Sequence, residues 1–360
     1  MARSSVSRAL TSMGPTLIAV ALLVACASSA PTARHVARKP SGTTPAVSAQ
    51  RSGTTPNGAG WVEEDVAPTD PADLAEARRK GWGYLVEKLA SAGVSRARAA
   101  RAFADPRMPE FDGLLFGLNP REPHSMYRGF MKASSIASAE RCATEHADEL
   151  RAAERMLGVD ASVVAAIMHV ETHCGRNTGR SLVLHRLARL AMANEPRNVA
   201  RNLDRYDPRE LDDELAERVR ARARYLEGVF YPQVVATFEI ARQDAIDPLA
   251  LRGSGAGAFG YVQFLPMNFV AFGTDGDGDG HISLYEPADA AASCARFLAS
   301  YGWRPGIGSA RKREVIWHYN RSDAYIDTVL ALATRIRSSG ALDLDTPEAT
   351  EAAAATVRRR

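Results

Sequence analysis

This 360-residue chain has no large excess of charge of either sign: 45 Lys and Arg stand against 42 Asp and Glu, a formal +3. Nothing in that balance demands a nucleic-acid partner. The chain also has almost no alternating strand pattern, apart from a short pairing expected near His281–Leu284, which excludes an all-β architecture. No internal repeat is present, which excludes a solenoid. Beyond the first 26 residues no apolar run is long enough to span a bilayer. The glycine-rich stretch Gly253–Gly260 has no lysine of the kind a phosphate-binding loop requires, so a nucleotide site is not indicated.

The N-terminus carries the first positive signal. Arg3 and Arg8 precede the apolar run 17–25, which has the length of a signal-peptide core. The run ends in Leu23-Val24-Ala25-Cys26, a tetrapeptide that resembles a bacterial lipobox with Cys26 as the lipidated residue. The alternative is an ordinary signal peptide cut after Ala30. Ala27, not Asp, follows the cysteine, which resembles outer-membrane sorting and implies a periplasmic location. Residues 27–70 are rich in Ser, Thr, Pro, Gly and Ala and cannot bury enough surface to offset their ordering entropy. Such a tether of about 40 residues has an r.m.s. reach of roughly 35 Å.

From residue 71 to 338 the pattern is helical, which predicts a mainly α domain followed by a flexible tail over 339–360. Ala72–Ala90, Ala137–Leu157, Pro208–Phe230, Glu286–Tyr301 and Lys312–Ile336 carry helical spacing. Asp160 is the expected N-cap of a further helix reaching His173 and closed by Gly175.

In that helix Val164, Ile167 and Glu171 stand at i, i+3 and i+7, on one apolar face. A carboxyl there is disfavoured in its charged form by desolvation and by the negative helix end, as suits a general acid. A core-edge Glu paired with an Arg is the plainer reading. His169-Val170-Glu171-Thr172-His173 superficially matches a zinc-protease motif. Its Glu lies two residues from each His and points away from any shared metal, so two polar-face histidines are expected instead. In the stretch 247–266, glycines at 253, 255, 257 and 260 mark close backbone approach. The Ser, Gln and aromatic residues between them suit a polar, ring-shaped ligand, although a plain connecting loop has the same composition.

Three motifs in one order make a resemblance specific. They are G-V-x-x-x-V-V-A-A-I-x-x-V-E-T-x-x-G around Glu171, D-P-L-x-L-x-G-S-x-A-G-A-x-G-Y-x-Q-F-x-P from Asp247, and Trp317-His318-Tyr319-Asn320. Together they resemble the membrane-bound lytic murein transglycosylase B family over about residues 75–336. The resemblance implies a lysozyme-like helical fold. It also implies cleavage of the β-1,4 bond between N-acetylmuramic acid and N-acetylglucosamine in peptidoglycan glycan strands, leaving a 1,6-anhydro end. Glu171 is then the catalytic acid/base. Ser254, Gln263 and Phe264 fall where the family lines its groove, and Tyr319, Asn320 and Tyr325 match its Y-N-x-x-x-x-Y element. Cys174 and Val262 depart from the family, which usually has an aromatic and a Gly there. A non-catalytic peptidoglycan-binding lipoprotein and a hydrolytic muramidase are the competing readings.

Asp275-Gly276-Asp277-Gly278-Asp279-Gly280-His281 through Glu286 fits the EF-hand loop pattern, with alternate carboxylates for a structural Ca²⁺ and Gly280 for the turn. His281 would contribute its backbone carbonyl. The resemblance maps the closing carboxylate to Asp289, whereas the loop pattern gives Glu286. No organic cofactor is implied. With Cys26 lipidated, three cysteines remain in an oxidising compartment. A disulfide between Cys142 and Cys174 is expected, because Cys174 adjoins the end of the Glu171 helix and Cys142 lies on the helix before it.

Overall fold

The computed structural model describes residues 68–119 and 124–343. The proposed lipidation site Cys26, the tether up to residue 67 and the tail beyond residue 343 lie outside them. Thirteen α-helices are present among the described residues, with one 3-10 helix and a two-stranded sheet.

Asp70 caps α1 (Pro71–Arg79) by accepting from the Ala72 N–H, and Pro71 supplies the preset first turn. The single helix expected over Ala72–Ala90 is broken at Gly81, whose φ of +85° turns the chain into α2 (Gly83–Ser91). The turn is fixed by Trp82, fully buried with its indole N–H on the Pro109 carbonyl. Next come α3 (Arg96–Ala104) and the 3-10 helix His124–Met131. A second expected helix, Ala137–Leu157, is divided at His146 into α4 (Ala133–Glu145) and α5 (Ala147–Leu157). The His146 ring stands edge-on to Tyr261 there.

The helix bearing Glu171 is α6 (Ala161–Thr172). It is not amphipathic: every residue from Ala161 to Val170 is buried. Asp160 precedes it but makes no side-chain cap. Its carboxylate instead pairs with Lys312 at 2.7 Å and Arg337 at 2.9 Å, which leaves the cap to solvent or backbone. His169 is likewise no polar-face residue. It is fully buried, with Nε2 2.9 Å from the Ser135 hydroxyl and its ring edge-on to Phe130.

β1 (Ser181–Leu182) leads into α7 (Val183–Ala191), α8 (Pro196–Leu203) and α9 (Asp213–Gln243). The last begins later and runs farther than the pattern over Pro208–Phe230 indicates. Asp212 sets its start by accepting from Leu215 N–H. Pro232 forfeits one helix hydrogen bond, yet Phe230, Val234 and Phe238 continue the buried face through it. β2 (Arg252–Gly253) pairs antiparallel with β1. The strand expected at His281–Leu284 is absent, because that backbone is taken by single bonds, Ser283 N–H to Asp289 and Tyr261 N–H to the Leu284 carbonyl.

α10 (Pro266–Phe272), α11 (Pro287–Ser300), α12 (Ser309–Tyr319) and α13 (Asp323–Ser338) complete the fold. The helix expected over Lys312–Ile336 is interrupted at Asn320, which is extended (φ −148°, ψ 119°). Ser322 then caps α13. α6 packs against α13, α4, α5 and α11, so the Glu171 helix is the central rod of the domain. No helix among the described residues is long and apolar enough to cross a membrane.

Candidate active site

Glu171 stands where α6 ends, and the end is held from three sides. His173, Cys174 and Gly175 are successively left-handed, with φ of 50°, 59° and 76°. Gly175 is required for space as well as for conformation, since a Cβ there would lie 2.1 Å from the Tyr261 ring. The Thr172 hydroxyl donates to the Tyr261 carbonyl at 2.8 Å and accepts from Gly175 N–H at 2.9 Å, tying α6 to the glycine-rich loop. Cys174 is joined to Cys142 on α4 by a disulfide, with the Cα atoms 6.1 Å apart.

A cleft of about 350 Å³ opens over this end. Glu171, Gln263, Phe264, Tyr319 and Asn320 border it, so five of the residues singled out in the sequence converge there. The Tyr325 hydroxyl donates to Glu171 Oε1 at 2.7 Å. Burial, then the charge of Glu171, pushes the Tyr325 hydroxyl well above its usual range, so it remains a proton donor to the carboxyl. Tyr319 lies nearly parallel to Tyr325, at 6.3 Å and 11°, and donates its hydroxyl to the Val262 carbonyl. Beneath it is the buried Cys294 thiol, pushed up by burial and by the Glu171 charge, and hydrogen-bonded to Tyr319. The floor of the site is therefore a packed stack of hydroxyls and aromatic rings below one carboxyl. Asn320 borders the cleft but is only 5% exposed, and its buried Oδ1 has no partner among the described residues.

The glycine-rich loop forms the adjoining wall. Gln263 has φ +48°, unusual for a non-glycine, and its Nε2 donates to the carbonyls of Gly260 (2.9 Å) and Thr178 (3.2 Å). Gly260 could not carry a side chain, because a Cβ would meet Leu284 at 2.3 Å. Two expected groove residues do not reach the cleft. Ser254 is buried within the loop, where its hydroxyl accepts from Ala258 N–H at 3.3 Å. Tyr325 is fully buried and meets the cleft indirectly, through Glu171 and the ring of Tyr319.

The opposite wall was not legible in the sequence. Tyr225, Val229 and Gln233 on α9, with Leu265 and Asn268 at α10, border the same cleft. Their spacing of four residues on a charged helix signals one face, but not what that face meets.

The acidic loop 275–289 adjoins the glycine-rich loop, whose Tyr261 N–H donates to the Leu284 carbonyl. Asp275 accepts from Gly278 and Gly280 N–H groups at 2.6 and 2.9 Å, and these bonds hold its carboxyl below the usual range. Asp279 accepts from His281 N–H at 2.7 Å. Asp289, 1% exposed, accepts from Gly276 N–H at 2.7 Å and Ser283 N–H at 2.6 Å. Burial, then the charges of Asp277 and Asp275, raises its carboxyl against these two bonds. Asp275, Asp277 and Asp289 bring ligand oxygens within 4.8 Å of one another, as do Asp277, Asp279 and Glu286. A buried acid facing two others fits a hard divalent cation, which would relieve the repulsion. His169 and His173 belong to no such group among the described residues.

Comparison with known proteins identifies the family and the fold. The family model described as "Transglycosylase SLT domain" matches residues 78–314. The membrane-bound lytic murein transglycosylase B of Escherichia coli is 33% identical over 162 residues, which are 45% of this chain and 37% of that protein. The match thus spans well under two thirds of that relative. Among solved structures, the Escherichia coli lytic transglycosylase SLT35 in complex with bulgecin A has a TM-score of 0.54 at 21% identity, covering 75% of this chain and 95% of that one. The same enzyme in complex with calcium has a TM-score of 0.51 at 21% identity, with the same coverage. The soluble lytic transglycosylase SltB1 of Pseudomonas aeruginosa has a TM-score of 0.53 at 24% identity, covering 71% of this chain and 98% of that one. These likenesses establish the lysozyme-like, mostly helical fold.

Proposed function

The chain belongs to the transglycosylase SLT domain family, and from that premise we propose that it is a peptidoglycan lytic transglycosylase with Glu171 as its single acid/base. The observation that carries this reading is the one carboxyl that borders the cleft among the described residues, oriented by the Tyr325 hydroxyl and flanked by Asn320 and Gln263. Glycosidases commonly use two carboxyl groups, one of them for a nucleophile or for water. A single carboxyl suffices when the substrate closes on itself. Glu171 as the acid protonates the leaving glycosidic oxygen. The muramyl acetamido group stabilises the positive centre at C1, with Asn320 orienting it, while the Tyr319 hydroxyl, given to the Val262 carbonyl, holds the wall behind. The Glu171 carboxylate then takes the proton of the muramyl 6-hydroxyl as that oxygen bonds to C1. The bond to the leaving sugar is broken, the 1,6-anhydro ring is formed, and no water is consumed.

Ca²⁺, when bound by Asp275, Asp277, Asp279 and the His281 carbonyl, is structural in this reading. Asp289 is the better closing ligand than Glu286, because it is buried beneath the loop while Glu286 is exposed. Cys26 anchors the domain to the outer membrane through its lipid, and residues 27–70 serve as the tether that lets it reach the wall. Mass spectrometry of products from purified sacculi tests the activity. Anhydromuramyl ends, one water lighter than reducing ends, are expected. Reducing ends alone would make the protein a hydrolase, and no products at all would leave it a binding protein.

A further inference from the structure

Gln233 sits on α9 at the far wall of the cleft, in one stripe with Tyr225 and Val229. Its side chain is 8% exposed and its amide orientation is determined by chemistry. Oε1 accepts from the Met267 N–H at 3.0 Å, a donor at the start of α10 that no helical carbonyl can satisfy. A backbone N–H can only donate, so the oxygen must face Met267 and the Nε2 hydrogens must face away. No group among the described residues takes those hydrogens, and the nitrogen is not sealed from solvent. The side chain borders the cleft, so its spare donors are available there. Asn320 borders the same cleft, but its Oδ1 is sealed from solvent with no partner among the described residues, so the accessible amide donor on this wall is that of Gln233.

We propose that Gln233 is a specificity-determining residue whose Nε2 donates to a carbonyl oxygen of the bound glycan strand. The inference rests on the proposed peptidoglycan activity and names a contact within it. A carbonyl is the fitting acceptor because the pinned amide offers only hydrogens and a carbonyl oxygen only accepts, whereas a glycan hydroxyl placed there would have to find a second partner for its own hydrogen. Two carbonyl sources exist on such a strand, the 2-acetamido group of either sugar and the lactyl-peptide arm of the muramyl sugar. Gln233 acts in binding and not on the reacting atoms, so its loss should raise KM and leave kcat nearly unchanged.

The test uses the Glu171→Gln protein, so that binding is read without turnover. Chitooligosaccharide carries acetamido carbonyls only, whereas a soluble muramyl glycan carries both kinds. Gln233→Glu keeps the acceptor for Met267 N–H and removes the donors. It should weaken binding at least about fivefold, the scale of one lost hydrogen bond, with an unchanged melting temperature. Weakening toward both ligands assigns the acetamido carbonyl, and weakening toward the muramyl glycan alone assigns the lactyl-peptide carbonyl. Affinity unchanged by Gln233→Glu for both ligands overturns the proposal. Should Gln233→Glu fail to fold, the side-chain amide resonances of Gln233 in the ¹⁵N-labelled Glu171→Gln protein serve instead. A shift on titration supports the contact, and no shift with either ligand at saturation overturns it. Failure of the activity itself is seen separately, as the absence of anhydromuramyl products from the unsubstituted enzyme.

Discussion

The carboxyl of Glu171 is unusual less for its own chemistry than for what surrounds it: a hydroxyl donor at 2.7 Å, a thiol and a second tyrosine beneath, and no second acid bordering the same cleft among the described residues. With one group serving both half-reactions, substitution should be severe. Glu171→Gln is expected to lower turnover by at least ~10²–10⁴-fold, toward background, while glycan binding persists. Product release from sacculi and a binding isotherm on the same protein check it, and near-normal turnover would remove Glu171 from the mechanism. A second residue-scale expectation concerns His169. Burial, then the charges of His173 and Arg176, depress it from 6.5 to about 4. A depressed histidine is neutral in the fold while the unfolded chain takes up a proton. Between pH 6.5 and 4 the unfolded state therefore binds more protons, and stability falls as pH falls through that window. The loss approaches about 3 kcal/mol by pH 4 as an upper bound. Thermal melts at pH 7 and 4.5 should show the fall, and His169→Gln should shrink it. An undiminished fall would assign the acid sensitivity elsewhere, for instance to His185, which is also held at about 4.

At the scale of elements, α11 connects the acidic loop to the floor of the site. Asp289 in its first turn gathers Gly276 and Ser283 N–H groups, Ser293 accepts from Thr274 N–H at 3.0 Å, and Cys294 meets Tyr319. A cation bound at the loop would stiffen the start of this helix without touching Glu171. Chelation of divalent cations should thus lower the melting temperature, with excess Ca²⁺ restoring it. Ca²⁺ at about 100 times its dissociation constant is worth ~2.7 kcal/mol. Asp289→Asn should lose that response, and Glu171→Gln should keep it. Melting indifferent to both chelator and Ca²⁺ would leave the loop as merely acidic. The other element-scale device is the covalent one: the disulfide closes a loop with its cysteines 32 residues apart and clamps the chain where α6 leaves the helix.

For the whole molecule, the proposed reading carries the helical domain on a separate lipid anchor. The anchor is expected at Cys26. Radioactive fatty acid should label the wild-type protein and not Cys26→Ser, and equal labelling of the two would show that the lipobox is not used. A lipid at Cys26 would supply a membrane attachment; none of the described helices is long and apolar enough to cross a membrane.

The local signals in the chain were enough to determine the helical class, the candidate carboxyl at the end of a helix and the acidic loop, because each depends on residues close together in sequence. Periodicity, capping residues and alternate aspartates state their meaning over a few residues. The same short range explains the boundaries that pattern missed. Gly81, His146 and Asn320 interrupt stretches of good helix formers: Gly81 turns beside the buried Trp82, which bonds the Pro109 carbonyl, His146 stands against Tyr261, and Asn320 is extended between α12 and α13. Asp160 has the composition of a cap, yet Lys312 and Arg337 take its carboxylate from across the domain. Ser254 stands in the loop motif but faces inward, and Tyr325 reaches Glu171 from 154 positions away. The α9 wall with Gln233 belongs wholly to tertiary structure. Its residues are ordinary on their helix and become a site only because α9 and α10 pack across from Glu171, a juxtaposition set by burial of many apolar side chains at once rather than by any motif.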